Sequence, residues 1–267
     1  MTKISILGCG WLGLPLAKAL LKNDYLVNGS TTSAEKLDVL KYAGIIPFLI
    51  ALSENKTTGN LTEFLENSKI LIIDVPPKLR GSGTENFVSK IRNVIPFIEK
   101  SSVENVLFIS STSVYNDDDA FVTEETIPKP DTESGKQLLE TEQLLLSNSH
   151  FKTTVLRFGG LIGEDRHPVK FLAGRENLDN PNAPINLIHQ EDCMGIILKI
   201  IANDAWNETF NAVAPSHPSR EIYYTQKALE LNLALPRFNP KNNAGGKIIL
   251  STRLEKVLNY TFTKPNL

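Results

Sequence analysis

The chain has 267 residues, 41% of them hydrophobic and 22% charged, with a formal net charge of −2. That length can bury a large core as one big domain or as a domain with a small lobe, and so slight a charge supplies no field to attract nucleic acid or an anionic membrane. Only two cysteines are present, Cys9 and Cys193, which excludes a disulfide scaffold or a cysteine-built zinc site and fits a reducing compartment.

The first strand pattern begins straight after Met1 and no apolar run reaches about 18 residues, so the expectation is a soluble, cytoplasmic protein without a membrane span. His150, His167, His189 and His217 show no metal-ligand spacing, and no metal site is expected.

Ile4, Ile6 and Leu7 form the short apolar run of a buried parallel strand, and it stops at Gly8. Gly8, Gly10 and Gly13 follow with G-x-G-x-x-G spacing, and Leu12, Leu16, Ala19 and Leu20 then recur at helical intervals. Glycines between a strand and a helix suit a dinucleotide. Gly8 permits the tight turn, Gly10 lets a diphosphate approach the main chain, and Gly13 lets the helix pack on its strand. The main chain at Trp11 and Leu12 then faces the phosphates with free N–H groups and a favourable dipole. Tyr25 to Gly29 reads as the second strand, completing a β-turn-α-β unit of about 30 residues. The alternative is a structural turn that binds nothing.

Ser30, Thr31 and Thr32 stand where an acidic side chain would hold the adenosine ribose of NAD, and that acid is missing. Their hydroxyls and the nearby Lys36 suit a 2′-phosphate, so NADP is favoured over NAD. Ser33 as a cap for the next helix is an equally good use of the stretch. Ile45 to Ile50 is a third strand candidate, followed by a polar loop and a short helix around Leu61 to Glu66.

Ile70 to Val75 is a continuous apolar run ending in Pro76-Pro77, the pattern of a central strand whose carboxyl end opens into a loop. Ligands of open α/β sheets bind at that edge, so Val75, Pro76 and the loop Lys78 to Gly83, with Lys78 and Arg80, are candidates to border the coenzyme or substrate, solvated loop charge being the commoner explanation for the two cations. Thr84 suits the cap of a crossover helix presenting Phe87, Ile91, Val94, Ile95 and Ile98. Val106 to Ile109 is a fifth strand, which delivers Ser110-Ser111-Thr112-Ser113-Val114-Tyr115 to the same edge, Ser110 on the coenzyme side.

The glycine spacing, the S-S-T-S-V-Y at the end of a later strand and Ile185-Asn186-Leu187-Ile188-His189-Gln190-Glu191-Asp192 together resemble the short-chain dehydrogenase/reductase superfamily. More narrowly, they resemble its extended or atypical branch, the NAD-dependent epimerase/dehydratase family, over most of the chain. The resemblance implies an NAD(P)-binding oxidoreductase or an epimerase/dehydratase-like protein acting on a small sugar-like or nucleotide-linked molecule. It also implies that copies can pair as a homodimer through two helices each. Counting four residues back from the Tyr of the strand-end motif makes Ser111 the group that hydrogen-bonds the reacting oxygen.

The family's second motif, Y-x-x-x-K, is not matched. Aligning Gly135 with the glycine that follows the family's catalytic Tyr puts Ser134 at the Tyr position and Leu138 at the Lys position. A Ser hydroxyl is far too weak an acid for a phenol's role and Leu carries no charge. A shift of two residues recovers Lys136 but places Thr132 at the Tyr position. On either register the tyrosine is absent, leaving Tyr115 and Lys136 as nearby acid or base candidates, each with a structural role as its alternative. The rival to an enzyme is a non-catalytic NAD(P)-binding redox sensor or scaffold.

Thr153 to Phe158 reads as a sixth strand, and Gly159 to Gly163 resembles the family's passage into a substrate lobe. Arg166, His167 and Arg175 are candidates to meet an anionic substrate, with surface charge as the alternative. Ile185 to Ile188 is a short strand, Asp192 is expected to cap a helix from Cys193 to Ile201, and Thr209 to Val213 is a further strand. A helix to about Leu231 follows, and Lys247 and Arg253 are placed to line the cleft. The expected fold is α/β: a Rossmann-type, doubly wound parallel sheet over residues 1–165, and a small mixed α/β substrate lobe over 166–267 with some elements returning to the sheet.

Overall fold

A computed structural model describes residues 1–77, 85–117, 121–242 and 245–267. The loop from Lys78 to Gly83, with Lys78 and Arg80, and Thr84 lie outside the described residues, as does 118–120 of the loop before the 133–146 helix.

A seven-stranded sheet carries the fold. Its strands are β1 (Lys3–Leu7), β2 (Leu26–Thr31), β3 (Ile46–Leu49), β4 (Ser68–Ile73), β5 (Asn105–Ser111), β6 (Lys152–Phe158) and β9 (Thr209–Ala212). They lie in the order β3-β2-β1-β4-β5-β6-β9, every pair parallel. This is the doubly wound Rossmann arrangement, with the direction of strand progression reversing between β1 and β4, where such sheets bind ligands.

The apolar runs explain why the strands are central. In β4 Ile70 and Ile72 pack into one core, with Ile4, Ile6, Leu16 and Leu20, while Leu71 and Ile73 pack into the other, with Phe64, Phe87 and Phe108. Alternate side chains thus enter two apolar layers, the condition under which a parallel strand loses its polar face. On the first face lie α1 (Gly13–Lys22) and α7 (Gln190–Ala202), and on the second α3 (Leu61–Leu65), α4 (Phe87–Arg92), α5 (Ile95–Glu99) and α6 (Glu133–Leu146). A third, smaller core joins β7 (Gly160–Ile162) and β8 (Leu187–His189) to α8 (Arg220–Glu230) through Ile162, Leu187, Tyr223 and Tyr224. The chain then returns to the sheet: α9 (Thr252–Leu258) buries Leu254 and Leu258 in the first core.

Three local expectations are corrected. The crossover helix is two helices, because Pro96 in the first turn of α5 offers no N–H to continue α4; the cap is Asn86, whose side chain accepts the Ser89 N–H at 2.8 Å. Ser33 does not cap with its side chain: α2 (Lys36–Tyr42) has Glu35 at its N-cap, without a side-chain bond. Nor does Asp192 cap α7. That helix starts earlier, at Gln190, with the His189 Nδ1 accepting the Glu191 N–H at 3.3 Å. Asp192 is wholly buried within the first turn, and its carboxylate accepts from Tyr260 Oη (2.8 Å) and from the Thr263 and Lys264 N–H groups (2.7 and 3.0 Å), tying down the C-terminal segment. No helix of the described residues is long and apolar enough to cross a membrane.

Candidate active site

The turn after β1 presents main chain to the carboxyl edge of the sheet. Gly8 holds φ +113°, and a Cβ there would lie 2.2 Å from the Asp74 carbonyl oxygen; a Cβ on Gly13 would lie 2.2 Å from the Gly8 carbonyl oxygen. Both positions demand glycine for packing. Gly10 differs, since a Cβ there would meet nothing within 4 Å. Its bare Cα keeps space open beside the turn. The turn is held on β2 by the Gly8 N–H donating to Ser30 Oγ (2.9 Å) and the Cys9 N–H donating to the Ser30 carbonyl (2.7 Å). Among the described residues the Trp11 and Leu12 N–H groups have no protein acceptor. Uncommitted amides at the mouth of a helix, beside space a side chain would fill, are the donor set a diphosphate takes.

Of the adenosine-side candidates, Ser30 spends its hydroxyl on the turn and Thr31 Oγ1 accepts the Ser33 N–H at 3.2 Å, whereas Thr32, just past β2, and Lys36, at the start of α2, are exposed. Val75 is half-buried against the Gly8 position and Pro76 is exposed beyond it. Between them and β4 lies Asp74, whose Oδ2 is 3.2 Å from where a Gly13 Cβ would be. Desolvation lifts this carboxyl to about 7, against the opposing pull of the Gly13 N–H and the Arg166 guanidinium. Burial likewise pushes the Cys9 thiol up to about 12, so it stays protonated and unreactive.

β5 ends by splitting two neighbouring serines between its faces. Ser110 is 5% exposed and donates to Glu142 Oε1 at 2.5 Å. Ser111 is half-buried, and its Oγ accepts the Ser113 N–H at 3.1 Å, which leaves the hydroxyl proton available to a substrate oxygen. Tyr115 turns inward, 2% exposed. Its hydroxyl accepts from Arg157 Nη1 (2.6 Å) and donates to Asn211 Oδ1 (3.0 Å), while Arg157 grips Glu142 through Nε (3.1 and 3.2 Å) and Nη2 (2.6 Å). Burial raises the Tyr115 phenol, with Arg157 opposing.

Helix α6 reaches this edge main chain to main chain: a Cβ on Gly135 would fall 2.2 Å from the Ser113 carbonyl oxygen. Ser134 is therefore half-buried next to the strand-end segment, Leu138 is 3% exposed in the core, and Lys136 is exposed. Lys247 comes from the far end of the chain to cover the same segment, its Nζ donating to the Tyr115 carbonyl (2.7 Å) and pairing with Asp117 (3.0 Å). Arg253 instead pairs with Glu208 and, at 3.5 Å, with Glu125.

The lobe contributes a tight turn and a cavity. Gly163 and Arg166 exchange main-chain hydrogen bonds (2.8 and 3.1 Å), and the turn they close places Asp165 Oδ1 2.8 Å from Trp11 Nε1 and the Arg166 guanidinium 4.9 Å from the Trp11 ring centroid. His167 is pushed down to about 4 by burial and by Lys227 and Lys170. The neutral ring accepts the Val169 N–H at Nδ1 (3.2 Å), so its Nε2 proton is donated to Tyr223 Oη (2.9 Å). Arg175 is exposed. A cavity of about 390 Å³ is lined by Pro168, Phe171, Ile185, Leu187, Tyr224 and Arg220. The Arg220 Nε is buried without a hydrogen-bond partner. Among the described residues no group of three or more His, Cys, Asp or Glu side chains could hold a metal ion.

No family model matches the chain. It is 32% identical over 268 residues to Protein YeeZ of Escherichia coli K12, covering 100% of this chain and 97% of that protein. The chain belongs to the YeeZ family. Among solved structures it is similar to the UDP-glucuronic acid 4-epimerase from Bacillus cereus in complex with NAD, at 19% identity and TM-score 0.78 over 98% of this chain and 94% of that one. It is also similar to a short-chain dehydrogenase/reductase superfamily protein from Agrobacterium tumefaciens with bound NAD, at 15% identity and TM-score 0.77 over 97% and 92% of the two chains. This YeeZ-family chain therefore has the Rossmann-like fold of the NAD-dependent epimerases.

Two groups of this YeeZ-family site escaped the sequence reading. Asp74 interrupts the otherwise apolar run Ile70–Val75, and a lone carboxylate at the carboxyl edge of a central strand is the signal that would have singled it out. Arg220 carried no signal beyond its place at a helix start. Nothing local links Arg166 to Trp11, which lie about 150 positions apart in the chain.

Proposed function

We propose that this chain is an NAD(P)-dependent oxidoreductase or epimerase/dehydratase-like enzyme acting on a sugar-like or nucleotide-linked substrate. The observation that carries the reading is the open, Cβ-free space at Gly10 beside the unpaired amides of Trp11 and Leu12. The likeness of fold to an epimerase in complex with NAD supports it. Residues 1–165 hold the coenzyme, and a lobe built mostly from 166–267 holds the substrate. The hydroxyl-bearing Ser30–Thr32 stretch, which carries no acid of its own, and the exposed Lys36 favour NADP.

When bound, the coenzyme accepts or supplies hydride. The chain's own groups do the rest. Ser111 donates its hydroxyl proton to the reacting oxygen and steadies charge that develops there. Ser134, at the position of the family's Tyr, and Lys136, two residues on at the start of α6, are the acid/base candidates, while Tyr115 serves the scaffold, its hydroxyl occupied by Arg157 and Asn211. Arg220, with its unpartnered Nε, supplies the countercharge for an anionic substrate in the apolar cavity.

The test is calorimetry with NAD⁺ and NADP⁺, followed by hydride exchange with a panel of sugar nucleotides and carbonyl compounds. Binding with turnover on any member supports the enzyme. Binding without turnover across the panel replaces it with the coenzyme-sensing module, and no heat with either coenzyme overturns the reading altogether.

A further inference from the structure

Trp11 lies in the glycine turn, and the side-chain contacts of its ring and indole N–H come from a distant segment. Its indole N–H donates to Asp165, its carbonyl accepts from Gln190 Nε2 at 2.7 Å, and its ring edge would lie 2.8 Å from a Cβ on Gly163. The Gly163–Arg166 turn is itself braced by its reciprocal main-chain bonds, so Asp165 and Arg166 are presented by a stiff loop. Arg166 lies over the Trp11 ring, exposed and without a salt bridge among the described residues. Its charge nevertheless reaches beneath the glycine turn, where it acts on Asp74 and on Cys193. A guanidinium stacked on an indole keeps its edge donors available and loses little freedom when they are used.

We infer that the Gly163–Arg166 turn is a clasp on the coenzyme's diphosphate, with Arg166 as its cationic contact and Trp11 as the platform that aims it. This rests on the coenzyme reading above and adds to it a side-chain contact from the lobe, where the glycine turn offers only main-chain amides. The clasp also joins the two halves of the site: Gln190 opens α7, so occupancy of the turn is felt by the helix that follows β8.

The experiment titrates wild type, R166Q and R166K with NAD⁺, NADP⁺ and ADP-ribose by calorimetry and by intrinsic fluorescence, with W11F identifying the Trp11 emission. Trp206, the second indole, is 8% exposed in the core and bonded to Asp204. R166Q should weaken all three ligands by about tenfold or more and reduce the ionic-strength dependence of binding. R166K should keep that dependence while losing part of the Trp11 response. Arg166 is exposed, so both variants should keep the wild-type melting temperature. Equal affinity of wild type and R166Q at matched ionic strength overturns the clasp alone; wild type that binds none of the three overturns the coenzyme reading beneath it.

Discussion

Arg157 and Glu142 form a two-pronged ion pair inside the fold, their side chains 7% and 1% exposed, and the guanidinium spends a further N–H on the Tyr115 hydroxyl. The pair joins β6 to α6, and through Tyr115 it anchors the segment that carries Ser111. Removing one member strands a buried charge, which costs more than the pair itself contributes. Glu142→Ala should destabilise the protein by about 3–5 kcal/mol. Tyr115→Phe leaves Arg157 Nη1 and Asn211 Oδ1 short of a partner, for a loss of about 1–3 kcal/mol. Urea unfolding measures both. Turnover per folded molecule of Tyr115→Phe should stay within a few-fold of wild type; a hundredfold drop at unchanged stability would place Tyr115 in the chemistry.

Two of the turn glycines, Gly10 and Gly13, predict opposite phenotypes. Gly10→Ala meets nothing within 4 Å and should fold with stability within about 0.5 kcal/mol of wild type, yet lose dinucleotide binding. Gly13→Ala forces a methyl group to 2.2 Å from the Gly8 carbonyl and should lower the melting temperature as well. Calorimetry and thermal unfolding of the two variants side by side separate ligand space from packing space.

Asp74 should make stability pH-dependent. The folded carboxyl keeps its proton up to about 7, while its ordinary value is 3.8, so between those values the folded state binds more protons than the unfolded one. Its contribution is fully present below about 4 and is lost as pH rises through about 7. Asp74→Asn should therefore stabilise the protein at pH 8, by up to about 4 kcal/mol, with the difference vanishing toward pH 4. Thermal melts of both proteins across that range check it, and parallel curves would refute the raised Asp74 carboxyl.

Ser111→Ala should leave coenzyme affinity unchanged and cut turnover on the order of 10²–10³-fold, the loss typical of a donor aimed at a developing charge. Steady-state rates on whichever substrate the panel reveals, beside coenzyme titrations, distinguish that from a general folding defect.

Lys36→Gln should weaken NADP⁺ by about tenfold and leave NAD⁺ unaffected, since only the former carries a 2′-phosphate near the end of β2. Equal changes for both coenzymes would remove Lys36 from the adenosine subsite.

Much of the fold was legible because its signals are local. Gly8-x-Gly10-x-x-Gly13 after an apolar strand run specifies strand, turn and helix within about 20 residues, and the run at Ile70–Ile73 announces a strand buried on both faces. Errors arose where a local rule met a competing one. Pro96 divided a helix whose apolar spacing ran unbroken, and Asp192, a good cap by residue type, was drawn instead into binding the C-terminal segment.

The sequence by itself determined the parallel sheet and a turn of main-chain amides at its edge, since backbone freedom and apolar spacing act between near neighbours. Only the tertiary structure decided that Tyr115 faces inward on Arg157, that Asp74 lies beneath the glycine turn, and that Trp11 meets Asp165 across 154 residues. Burial and charge pairing belong to the packed whole, and no stretch of chain carries them in advance.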